Sequence, residues 1–382
     1  MDPTFPLFPV LNLFACLLAL LPLFTSLGRS RHVGGIAFAL WVAGASLIKG
    51  VNLIVWADRS DNVAPAWCEI STRVQIGSLV AIPASTLVIT RRLYNVVSMR
   101  SLSPPDKRKA RSAVIFDLSL TAGLPCIMVA IYYLFQPVRF YIGEGYGCAP
   151  ALDSSWLPLL LYQSWAIILP TISIVFYSPR IIWTFYTQQK ASQELLRALD
   201  ESRSNHYGRF LALGMLDAVV TLPIGILGWV FSVLAMPHRP FVRSFSAIHH
   251  DFSPISYAKE DYIRRPRDML LVRLNDVVNV VLGAAVFGLF GMTNEARAVY
   301  RRAFWGVVRP FGWAEHRMRS SVIAFSASTG TSTTFTIGLS TGSARLPSSP
   351  LTGPLSTSSD PDDDEETVQI HKELQGFAPA NV

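Results

Sequence analysis

The stretch VGGIAFALWVAGASLIKGVNLIVW, residues Val33–Trp56, carries one charge, Lys49, in a run long enough to cross a bilayer. A helix rises about 1.5 Å per residue and the hydrocarbon core is about 30 Å thick, so roughly 20 apolar residues span it. Six further runs of the same kind flank it: Leu7–Leu27, Ile70–Tyr94, Ala113–Phe135, Trp156–Tyr177, Tyr207–Ala235 and Leu270–Thr293. The chain of 382 residues is 51% hydrophobic and 15% charged, with a mean hydropathy of +0.35, which excludes an ordinary soluble domain. The expectation is an all-α membrane protein: a seven-transmembrane helix bundle over residues 1–293, a juxtamembrane amphipathic helix over 294–310 and a disordered cytoplasmic tail over 311–382.

Charge orients the bundle. The first six residues hold no Lys or Arg, whereas Arg29 and Arg31 follow span 1 at once. Basic loops stay cytoplasmic, so the N-terminus is expected outside and the C-terminus inside. The same asymmetry argues against a cleaved leader, which begins with a positive segment. On this topology the inner loops and the start of the tail hold 20 Lys and Arg, against eight outside. Six of those eight fall in the third outer loop: Arg239, Arg243, Lys259, Arg264, Arg265 and Arg267. That loop breaks the rule. The net charge of +7 is mostly inner-face basicity, which suits membrane lipids of an anionic leaflet and asks for no nucleic acid.

Four cysteines occur. Cys16 and Cys126 lie in apolar spans and read as small buried hydrophobes. Cys68, at the mouth of span 3, and Cys148, in the second outer loop, both fall on the oxidising side, where a bridge between them can persist. Two free thiols are the other reading. No Cys-x-x-Cys or His cluster points to a metal, and no cofactor is expected. A His box, a Gly-x-Ser-x-Gly turn and a clustered acid motif are all missing from the sequence, which argues against an enzyme.

Polar side chains inside spans are costly and mark function by default. Lys49 and Asn52 lie in span 2, Arg73 near the top of span 3, Asp117 near the inner end of span 4, and Asp217 in span 6. Span 7 holds Arg273, Asn275, Asp276 and Asn279, with Asn275 and Asn279 one turn apart. Lys49 needs a carboxylate in low dielectric, and either Asp276 or Asp217 would serve. Such a network either switches between two bundle states or is a static ion pair. Pro83, Pro125, Pro170 and Pro223 each remove a backbone hydrogen bond within a span and favour a kink.

Beyond span 7, Ala296, Val299, Tyr300, Ala303, Phe304 and Val307 recur at helical spacing among Glu295, Arg297, Arg301 and Arg302, a pattern that suits the inner membrane surface. From about Ser320 the composition turns to Ser, Thr, Gly and Pro and then to the acidic run beginning at Asp360. Such a segment buries too little apolar surface to fold. The chain ends without a prenylation box, so it is not expected to be prenylated itself.

Two blocks and the end of span 7 carry a resemblance. Span 3 opens with Trp67-Cys68-Glu69-Ile70-Ser71-Thr72-Arg73, continues through Gly77 and Pro83, and closes on Arg91-Arg92-Leu93-Tyr94. The second outer loop reads Arg139-Phe140-Tyr141-Ile142-Gly143-Glu144-Gly145-Tyr146-Gly147-Cys148. Span 7 ends in Phe287 and Phe290-Gly291-Met292-Thr293-Asn294-Glu295-Ala296, with Tyr300-Arg301 following. The rhodopsin-like signatures are missing at the ends of spans 3 and 7. These blocks, spread over roughly residues 5–310, resemble the fungal lipopeptide mating-pheromone receptors, the a-factor receptor family of G-protein-coupled receptors. Glu69 stands where that family carries Asp.

The resemblance implies a plasma-membrane, multi-pass receptor whose ligand is a prenylated peptide pheromone and whose partner is a heterotrimeric G protein. The ligand's polar contacts would fall on Arg73, Glu144, His249, His250 and Asp251. Arg91, Arg92, Tyr94 and Arg180 would meet the G protein. Arg73 has a competing role in an ion pair with Glu69 one turn away, and Glu144 in a loop pair with Arg139. A secondary transporter using the intramembrane charges is the rival class, although seven spans without a repeat fit it poorly. A non-mating paralogue of the receptors is the rival within the family.

Overall fold

The computed structural model describes residues 5–30, 32–98, 107–183, 201–235, 238, 240–250, 252–260 and 266–308. Among these residues, seven helical spans are long and apolar enough to cross a membrane: Leu7–Phe24, Val33–Val55, Pro65–Asn95, Lys107–Phe135, Trp156–Trp183, Gly208–Ala235 and Leu270–Gly291, numbered 1 to 7. Three of them outrun their apolar stretches. Span 3 starts at Pro65, where a missing N–H costs nothing because the first turn has no partner for it. Span 4 starts at Lys107, since the basic turn before Ala113 continues the helix without needing lipid, and span 5 runs on past Tyr177 to Trp183. The expected tail over 311–382 lies outside the described residues.

Span 3 is the central post. The share of its apolar window that is buried is 78%, against 22–56% for spans 1, 2, 4, 5 and 7 and none for span 6. It packs against spans 2, 4, 5 and 6, while span 1 lies against spans 2 and 7. The main core joins Phe38, Ala39 and Val42 of span 2, Ile82 and Ile89 of span 3, Phe210 and Leu213 of span 6, and Leu282, Val286 and Phe290 of span 7. Span 6 changes character along its length. Phe210, Leu213, Gly214 and Asp217 are buried, whereas no residue from Thr221 to Ala235 is.

Single π-helical turns interrupt three spans: Ser119–Gly123 in span 4, Leu159–Gln163 and Ser173–Tyr177 in span 5, and Phe287–Gly291 in span 7. Those in spans 4 and 5 lie within a few residues of Pro125, Pro158 and Pro170, where the helix has already lost a donor. Pro83 and Pro223 sit inside continuous helix.

A small sheet covers one end of the bundle. The loop between spans 4 and 5 folds as an antiparallel pair, β1 (Tyr141–Gly143) and β2 (Gly147–Ala149), and the loop between spans 6 and 7 lays β3 (Ile255–Tyr257) parallel to β1. After span 7, Asn294–Val308 forms a further helix, its start capped by Thr293, whose Oγ1 accepts the Ala296 N–H at 3.0 Å.

Candidate functional site

The covered end is built on one disulfide. Cys68 at the start of span 3 bonds to Cys148 in β2, with a Cα–Cα distance of 5.3 Å, and both are buried beside Trp56, Phe140 and Ile142. Asn52 of span 2 ties the strand down further. Its Nδ2 donates to the Cys148 carbonyl at 3.0 Å and to Ser71 Oγ at 3.1 Å, while its Oδ1 accepts the Trp67 indole N–H at 2.8 Å. Gln75 Nε2 also donates to the Cys148 carbonyl, at 2.8 Å. The turn is held just as closely: the Gly145 N–H donates to the Trp56 carbonyl at 2.6 Å. Gly147 has φ +79°, and a Cβ there would lie 2.6 Å from the Asn52 Cβ, so only glycine fits. Asn52 therefore belongs to the lid, not to a network at mid-membrane.

The expected ligand contacts divide. Arg73 is bound by Glu69 one turn earlier, through both the carboxylate and the backbone carbonyl, and the other Glu69 oxygen takes Arg139 of the second loop at 2.5 Å. Arg139 thus meets Glu69 and not Glu144. Glu144 instead accepts the Lys259 N–H at 3.2 Å, and its own N–H donates to Tyr257, so it clamps the two loops together. His249 lies against the end of span 4, while His250 is exposed beside it. Asp251 lies outside the described residues. Tyr141, its ring tilted against Tyr257 at 5.6 Å between centroids, has its phenol pushed up by burial, with the Tyr257 and Asp153 charges adding.

One turn below Asn52, Lys49 Nζ sits 2.7 Å from Asp276 Oδ1, with the carboxylate fully buried and Arg273 3.7 Å from its other oxygen. Asn12 of span 1 donates to the Asp276 carbonyl at 3.1 Å. Asp217 does not join this group, because span 6 turns it toward span 3, where Thr86 Oγ1 donates to it at 2.9 Å. Asn279 is nearly buried one turn below Asn275, which is exposed.

At the opposite end a buried carboxylate, Asp117 of span 4, takes both arginines that close span 3. Arg91 reaches it at 3.0 Å and also lies 4.1 Å over the Phe116 ring, and Arg92 binds the other oxygen. Asp117 has no exposed surface. Nearby, Arg180 of span 5 reaches Tyr94 at 3.5 Å, and Tyr94 packs edge-on to Tyr177. Spacing alone could not foresee that one acid would hold both arginines. The signal was an isolated Asp in an apolar run, level with a basic pair on another span.

A seven-span membrane bundle, lidded at one end and closed at the other by arginines on its central helix, is the architecture of the seven-transmembrane receptors. The pheromone A receptor family (STE3) matches residues 7–312, and the chain belongs to it. It is 32% identical to the pheromone B alpha 3 receptor of Schizophyllum commune over 82% of this chain and 50% of that protein. It is 30% identical to pheromone receptor 1 of Ustilago hordei over 77% of this chain and 82% of that protein. With the pheromone a factor receptor of Saccharomyces cerevisiae the identity is 23%, over 75% and 60%. The chain spans about half the length of the Schizophyllum relatives it matches.

Proposed function

We propose that this chain is a G-protein-coupled receptor for a prenylated peptide mating pheromone, seated in the plasma membrane with the disulfide end outside and Arg91 and Arg92 in the cytoplasm. The observation that carries this reading is the continuity of span 3. One long, mostly buried helix holds the lid through Cys68 at one end and the Arg91–Arg92–Asp117 cluster at the other. A shift of the lid therefore acts on the arginines through a rigid rod. The outer half of span 6, with no buried residue from Thr221 on, leaves room for an apolar group arriving from the bilayer. The peptide part would meet Arg73, Glu144, His249, His250 and Asp251 at the lid.

On the cytoplasmic side Arg91, Arg92, Tyr94 and Arg180 form the coupling surface. Asn294–Val308 lies along the inner leaflet, with Phe304 60% exposed. The test is guanine-nucleotide exchange. The purified receptor in nanodiscs should speed exchange on a co-reconstituted heterotrimeric G protein when a prenylated candidate peptide is added. Solute or proton transport by the same protein in liposomes, with no effect on exchange, would instead establish the transporter reading.

A further inference from the structure

We infer that the loop between spans 6 and 7 is a membrane-interface strap, which lays residues 240–250 and Phe252 along the headgroup layer of a phospholipid bilayer instead of projecting them into water. Its height is set by hydrogen bonds to helix ends. The carbonyl oxygens of Pro240 and Phe241 accept the N–H groups of Trp156 at 3.1 Å and Leu157 at 3.0 Å, the first two residues of span 5. Those donors have no partner within their own helix. At the neighbouring span, His249 Nε2 lies 2.9 Å from the carbonyl of Tyr133 in the last turn of span 4. The strap thus crosses the tops of spans 4 and 5 at the level where their apolar runs stop, which is the edge of the hydrocarbon.

Its composition fits that height and not a water-exposed loop. From 240 to 250 only Ile248 is buried. Phe241 is 65% exposed, Val242 51%, Phe245 54% and Phe252 39%, and this surface continues into Tyr133 and Leu134 of span 4. Phe245, Phe252 and Tyr133 gather round the His249 ring at centroid distances of 4.0, 5.8 and 4.9 Å. Aromatic rings with basic neighbours are the signature of a segment lying in the interface, with apolar faces in the acyl boundary and charges at the phosphates. Arg243 supplies one such charge, half exposed beside Asp153 at 3.3 Å.

The strap also accounts for the loop that breaks the charge rule. Arg239, Arg243, Lys259, Arg264, Arg265 and Arg267 flank or belong to this segment in sequence. A basic residue held in a headgroup layer, as Arg243 is, meets lipid phosphate, which both leaflets contain, so its charge does not report the side of the membrane.

The test uses the full receptor in phosphatidylcholine nanodiscs with no peptide present. Val242→Cys and Phe252→Cys are each spin-labelled on a Cys126→Ala background, Cys16 being buried. Collision rates with oxygen, which concentrates in lipid, are compared with those of a water-soluble nickel chelate. Labels at Val219→Cys, on the lipid-facing side of span 6, and Asn62→Cys, exposed in the loop between spans 2 and 3, serve as references. Oxygen collisions exceeding nickel collisions at both strap positions, as at Val219, is the expected result. Nickel dominating at either position, as at Asn62, overturns the strap. The inference depends on neither the pheromone nor the G protein, so a silent receptor leaves it standing.

Discussion

Removing one charge of the Lys49–Asp276 pair should be far more damaging than removing both. At 2.7 Å and an effective dielectric near 20, the pair's Coulomb attraction is about 6 kcal/mol. Desolvation of the two ions takes back several kcal/mol of the pair's net contribution, but it cancels in a double-mutant cycle, whose coupling stays at about 6 kcal/mol. Lys49→Met strands a buried carboxylate that, among the described residues, keeps Arg273 at 3.7 Å, and Asp276→Asn strands an ammonium that is 13% exposed. Each single change should therefore cost about 3–4 kcal/mol, toward the lower half of the usual range for a broken buried pair. At about 2 °C per kcal/mol for a chain of this size, that lowers Tm by roughly 6–8 °C. The double variant Lys49→Met/Asp276→Asn should recover most of the loss. Thermal melting followed by the fluorescence of the nine tryptophans reads all four proteins in one detergent. A coupling below about 0.5 kcal/mol, with the double variant melting at the sum of the single losses, would refute the reasoning.

Three other expectations follow from the geometry. Asp117→Asn removes the carboxylate shared by Arg91 and Arg92 and should raise basal nucleotide exchange several-fold in the absence of peptide, an effect read with the G protein in nanodiscs; an unchanged basal rate would mean the cluster does not restrain the arginines. Gly147→Ala forces a φ of +79° onto a residue with a Cβ, costing about 1–2 kcal/mol before its clash with Asn52 is added, and should reduce surface expression in a cell-surface labelling assay. Asn52→Ala breaks three hydrogen bonds around the lid and should cost about 2–3 kcal/mol in melting, with peptide potency falling at matched surface expression, whereas the exposed Asn275→Ala should change melting by less than about 0.5 kcal/mol.

The seven spans were legible because twenty-residue apolar runs have few other uses, and the run around Lys49 is typical of them. Their ends were less so. Pro65–Glu69 is helical through neighbouring packing and Lys107–Arg111, exposed throughout, through backbone preference, both without the hydrophobicity that a span search reads. The π turns leave no periodic trace, since one extra residue in a turn changes neither composition nor run length. The lid sheet is built from three-residue strands, too short for alternation to register, and β3 is paired with β1 only through the fold. For Lys49 the sequence offered two acids. The choice rests on which helices are neighbours, because Asp276 lies on span 7 beside span 2 while span 6 turns Asp217 to Thr86. Glu144 and Asn52 were picked out by their chemistry, and their work in clamping the lid emerged only from the backbone groups that they meet.

Expressing the chain in a yeast reporter strain that lacks its own a-factor-type receptor, and applying synthetic farnesylated peptides from candidate fungi, tests the receptor reading at its root. A receptor for a prenylated peptide gives a dose-dependent signal that disappears when the same peptide is supplied without its farnesyl group. A response that is indifferent to the lipid, or silence toward every peptide from a receptor verified at the cell surface and competent with the host G protein, would contradict that reading.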